Sequence, residues 1–85
     1  MVNALERKNF KTGDLITPKK RCVGPIILWN TNHLESVTYC YTGEIKFGQI
    51  ATVLKMAKGS MSVLIVCESG WGWAYSEDFD LIFGE

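Results

Sequence analysis

Few side chains in this 85-residue sequence belong to the types that do chemistry, and most of them stand alone. The one histidine, His33, ends the polar stretch "NTNH". A general base needs a group to orient it, and the spacing supplies none, so His33 reads as a solvent-facing turn residue. Cys22, Cys40 and Cys67 lie in or beside apolar runs. A thiol nucleophile needs a base close by, and the approach of His33 to Cys22 or Cys40 is left open. In apolar surroundings a thiol behaves as a small hydrophobe, which makes core packing the better reading. Glu77, Asp78 and Asp80 are close enough in sequence to share a cation but lack the glycine-bearing loop of a calcium site. A solvated turn at a helix start accounts for them. The expectation is a protein with no catalytic residue, no metal site and no cofactor.

Two patterns point to binding. "PKKR" holds the only dense cationic cluster, Lys19, Lys20 and Arg21. Beside aromatic residues such a cluster can contact the phosphates of a single strand, although four residues specify little. "WGWAY" is more informative. In a strand Trp71, Trp73 and Tyr75 share one face while Gly72 and Ala74 share the other. Rings facing outward would make an interface for a protein partner or a second copy, because Trp and Tyr anchor such contacts. The bland alternative buries them as a second small core beneath a neighbouring hairpin. Trp29, at the end of "PIILWN", joins the same partner-binding set.

The bulk numbers bound what can position these residues. Eighty-five residues make one domain, which buries only about 60–65% of the surface its unfolded chain exposes. Apolar residues are 47% of the chain, too many for disorder. Nine basic residues balance nine acidic ones, so no general pull toward nucleic acid or an anionic membrane exists. Three cysteines without a CxxC pair argue against a disulfide framework and a zinc knuckle, and imply a reducing compartment. "MVNALERKNF" lacks the apolar core of a signal peptide, and no run approaches the ~20 residues that span a bilayer. A soluble protein used without export and without a membrane partner is expected.

Along the chain, short β-branched and aromatic runs alternate with glycine and polar turns, which is a strand pattern. The expected strands are "DLIT" (14–17), "PIILWN" (25–30), "SVTYCYT" (36–42), "QIATVLKMA" (49–57), "MSVLIVCE" (61–68), "WGWAY" (71–75) and "LIF" (81–83). "TGEIKFG", "AKGS" and "SG" read as turns, and "SEDFD" as one turn of 3₁₀ helix. "PIILWN" is expected to pair with "SVTYCYT". "MSVLIVCE" is the most apolar run, hence the central strand. Residues 1–9 form an N-terminal segment, helical or disordered, ahead of a single all-β domain over residues 10–85. So small a sheet must curl to bury one face and hide its edges.

The ends of the chain carry a resemblance. "GWAYSEDFDLI", with Gly72, Trp73, Ala74, Ser76, Phe79 and Leu81, resembles the close of SH3-type barrels: a Gly-aromatic-aliphatic step, a serine-containing 3₁₀ turn, a final apolar pair. "FKTGDLI" (10–16) looks like the Gly-Asp-hydrophobic strand opening of SH3-like and KOW-like barrels. "GQIATVLKM" and "SVLIVCESGWGW" are similar to the central hairpins of small SH3-like proteins of tailed bacteriophages, many known from marine sequence. The resemblance implies a small SH3-like barrel with an extended hairpin after its first strand. It implies a non-enzymatic interaction module, an accessory or structural phage protein located in the cytoplasm of an infected bacterium or in the virion. The alternative function is a nucleic-acid-binding barrel using Lys19, Lys20 and Arg21. No Tyr-rich motif lies between Thr17 and Gly24, and Tyr75 and Asp78 stand where SH3 domains carry Pro and Tyr, so the resemblance does not extend to a polyproline groove. It does set Ala74 on the inner face and Trp73 at least partly on the surface.

Overall fold

A computed structural model describes residues 10–20, 24–30, 41–57, 59 and 61–84. Seven strands account for most of them: β1 (Leu15–Pro18), β2 (Ile26–Trp29), β3 (Tyr41–Ile45), β4 (Ala51–Met56), β5 (Ser62–Cys67), β6 (Gly70–Tyr75) and β7 (Phe79–Phe83). A 3₁₀ turn, Ser76–Asp78, joins β6 to β7. The strands form one sheet in the order β3-β2-β6-β5-β4-β1-β7, and each pairing is antiparallel. The apolar run at Ser62–Cys67 lies fourth of seven, at the centre of the sheet.

One face of every strand feeds a single core. Ile16, Leu28, Ile45, Ala51, Val53, Val63, Ile65, Ala74 and Phe79 come from all seven strands, and Phe10 joins them from the segment before β1. The two-residue period of extended backbone produces this: in β4, Ala51 and Val53 are buried while Thr52 between them is not. No helix or second sheet among the described residues covers that face, so the sheet must curl back on itself. Three bulges help it bend. Pairing slips at Leu28/Trp29, Val53/Lys55 and Leu15/Ile16. The radius of gyration, 12.0 Å, matches the ~12 Å expected of a compact chain this long.

The strand opening "KTGD" is tied down by its own aspartate. Lys11 N–H donates to Asp14 Oδ2 at 2.8 Å, and Asp14 N–H donates to Lys11 O at 3.0 Å. The turn is then stitched to β4 by Gly13 N–H to Val53 O and Val53 N–H to Asp14 O. A buried carboxylate that accepts a main-chain N–H is a local turn device.

Two expectations need correction. The partner of β2 is Tyr41–Ile45, with Ile26 opposite Ile45 and Leu28 opposite Gly43, so Thr42–Ile45 is strand rather than turn. The turn falls later, at Lys46–Gln49, closed by Gln49 N–H to Lys46 O at 3.0 Å and by Lys46 N–H to the Gln49 side chain at 2.8 Å. The tight turn between β5 and β6 is Glu68–Ser69, because Cys67 pairs with Gly70. The expected helical or disordered segment 1–9 and residues 36–40 of "SVTYCYT" lie outside the described residues.

Candidate interaction face

β6 is "GWGWAY", and its inner face is small because another strand pair crosses it there. A Cβ on Gly72 would lie 2.5 Å from Thr42 Oγ1, 2.8 Å from Leu28 Cβ and 2.9 Å from Trp29 N. The Gly72 φ of 154° is one that L side chains rarely adopt. Nearby, a Cβ on Gly70 would meet Thr42 O at 2.8 Å, and one on Gly43 would meet Ser69 O at 3.2 Å. The β2–β3 hairpin thus lies directly against the start of β6. Polar bonds close the crossing: Thr42 Oγ1–H donates to Trp71 O, and Ser69 Oγ–H donates to Glu44 O. Cys67 Sγ, half-buried against the core, lies 3.7 Å from the same Glu44 carbonyl. Cys67 is a free thiol that packs as a small hydrophobe.

With Gly72 and Ala74 inside, the rings stand outside. Ala74 is 2% exposed, whereas Trp71 is 47% and Tyr75 43% exposed. Trp73 and Trp29 are half-buried. Burial beneath a hairpin is the alternative reading of the stripe; among the described residues β2 lies beside β6 in the same sheet, and Trp29 pairs directly with Trp73.

Register extends the face beyond these four rings. Trp73 is opposite Leu64 on β5, and Leu64 is opposite Lys55 on β4. Trp71 is opposite Val66, which is exposed. On the far side Trp29 is opposite Tyr41, also exposed. Directly opposed side chains share a face with Cβ atoms about 5 Å apart, so these residues form one apolar surface over β3, β2, β6 and β5. Sequence reasoning missed Leu64 and Val66 because "SVLIVC" is apolar on both sides of its strand and shows no outward face, and Tyr41 because the bulge opposite Leu28/Trp29 sets its side. Where β2 parts from β6, a cleft of about 280 Å³ opens between Pro25, Ile27 and Trp29 on one side and Tyr75 and Asp78 on the other.

Tyr41 marks the edge of the face. Its O–H donates to Glu44 Oε1 at 3.1 Å. That bond, with lesser contributions from desolvation and the carboxylate charge, raises the phenol above its ordinary pKa of 10.0.

The other candidates are dispersed. Lys19 and Lys20 leave β1 beside the 3₁₀ turn, where Lys19 N–H donates to Asp78 O at 2.9 Å. Glu77 and Asp78 fill the first turn of the 3₁₀ segment, and Asp80 lies opposite Thr17. Arg21, Cys22, His33 and Cys40 lie outside the described residues. Among the described residues, no three His, Cys, Asp or Glu side chains converge as metal ligands, and no helix is long and apolar enough to cross a membrane.

Comparisons with protein-family models, with curated proteins and with solved structures give no match.

Proposed function

We propose that this chain is a non-enzymatic interaction module on an SH3-like barrel, binding another protein or itself through Trp29, Trp71, Trp73 and Tyr75. The observation that carries the reading is the outward placement of Trp71 and Tyr75, about half exposed, on a strand whose inner face is glycine and alanine. Small soluble domains seldom leave contiguous aromatic surface uncovered unless something docks there, and Trp and Tyr dominate the energetics of such contacts.

Several features support the SH3-like part: a hairpin between the first strand and the central ones, a 3₁₀ turn before the last strand, and pairing of that strand with β1. The sequence resemblance extends the proposal to an accessory or structural protein of a tailed phage. The nucleic-acid alternative is the weaker of the two, because a chain with no net positive charge has little general attraction for phosphates.

The double substitution Trp71→Ala/Tyr75→Ala tests the proposal. Both side chains are exposed, so the melting temperature should fall by no more than a few degrees. Association, with itself or with a captured partner, should be lost. A double variant that fails to fold would show the rings to be core and end this reading.

A further inference from the structure

Among the described residues, the thinnest seam in the sheet lies between β2 and β6. β5 pairs with β6 over six residues and with β4 over four. β2 and β3 also pair with each other over four. Yet β2 meets β6 at a single pair, Trp29 opposite Trp73. Beyond it the two strands part and leave the cleft beside Pro25 and Ile27.

The remaining attachments of the hairpin are few and local. Thr42 Oγ1–H donates to Trp71 O, and Ser69 Oγ–H donates to Glu44 O. Gly43 and Gly70 bring the main chains of β3 and β6 together. Leu28 and Ile45 reach the core and are fully buried. The other eight buried residues of that core come from β1, β4, β5, β6, β7 and Phe10. Most of the core therefore lies outside the hairpin.

The connections of the hairpin to the rest of the chain are open. The chain enters it through Gly24 and Pro25 and leaves it through the Lys46–Gln49 turn. A Cβ at Gly24 or at Gly48 would meet nothing within 4 Å. Hinges are a few loop positions of this kind, placed where a rotation meets no neighbour. A unit that is well paired within itself and thinly joined to its surroundings opens before the whole domain unfolds.

We propose that the β2–β3 hairpin is a latch, which swings off β6 as one unit while the other five strands stay folded. Opening uncovers Gly72 and Ala74 on the inner side of β6 and parts Trp29 from Trp73. The closed latch is thus a condition for the four-ring face. The latch itself stands whether or not that face binds a partner.

Amide hydrogen exchange of the full chain tests it, read by NMR where the rate reports the opening equilibrium. The ladder amides of β2 and β3 should exchange as one group, about tenfold or more faster than those of β5. Their dependence on added urea should be weaker, because opening exposes less surface than unfolding. Two substitutions separate the two events. Thr42→Val removes a bond that is lost in both, so it should speed the hairpin and β5 amides alike, about threefold. Thr12→Val removes the bond from Thr12 Oγ1–H to Leu54 O, which the open latch keeps. It should speed the β5 amides and leave the hairpin amides unchanged. Hairpin amides as slow as those of β5 overturn the proposal, as does an equal response of both groups to Thr12→Val. Unrelated rates along β2 and β3 also overturn it, since they mean fraying residue by residue.

Discussion

The two faces of β6 invert the usual order of a half-buried strand. Large side chains ordinarily point to the core and small or polar ones to solvent. Here glycine and alanine are inside and two tryptophans and a tyrosine outside. The inner face is explained by what lies against it: Leu28, the Trp29 main chain and Thr42 approach so closely that only a hydrogen fits at Gly72. Among the described residues the outer face shows no comparable close packing at Trp71, which is 47% exposed. The size of the inner residues is dictated by packing within the chain, whereas Trp71 on the outer face is held by no such close approach among the described residues.

The sharpest way to break this contrast is Gly72→Val. The added side chain meets main-chain and Cβ atoms below 3 Å, which cannot shift cheaply, and it also demands a positive φ of a β-branched residue. Overpacking and backbone strain together should cost about 3 kcal/mol or more, a large part of a small domain's total. Urea unfolding is the measurement. A loss below about 1 kcal/mol would mean that β2 and β3 do not lie against β6 as described. The outer-face pair Trp71→Ala/Tyr75→Ala, two larger deletions on the opposite face of the same strand, should cost less than this single addition.

Much of this architecture is legible in the sequence. Alternation and turn residues locate β4, β5, β6 and the 3₁₀ turn, because these pack through ordinary period-two burial. The errors have specific causes. Gly43 and Gly48 look like the two ends of a turn, yet Gly43 is mid-strand because Ser69 and Gly70 pass close to it. That reason is tertiary and leaves no local signal. The direction of the Trp71/Trp73/Tyr75 stripe is hidden likewise: alternation shows that the rings share a face, but the crossing at Gly72 decides which. Leu64 and Val66 join the face only through register with β6.

A milder perturbation probes the crossing without filling it. Thr42→Val keeps the shape of the side chain but removes the donor to the Trp71 carbonyl. One partly exposed side-chain hydrogen bond contributes about 0.5–1.5 kcal/mol, and exposure places this one at the lower end. The loss should appear as a small decrease in the denaturant midpoint with an unchanged slope. A change of slope would instead indicate that the hairpin had come away from β6.

The smallest effect concerns the Tyr41–Glu44 pair on β3. The folded state holds the Tyr41 proton more tightly than the unfolded chain does, because the neutral phenol donates to Glu44. The associated stability is therefore complete below pH ~10, the unfolded value, and is lost as pH rises through the higher folded value. Subtracting the phenolate absorbance titration of Tyr41→Phe from that of the wild type isolates this group. Its midpoint should lie above 10.0, and Glu44→Ala should bring it down, since that substitution removes both the acceptor and the charge. A midpoint unmoved by Glu44→Ala would detach Glu44 from Tyr41.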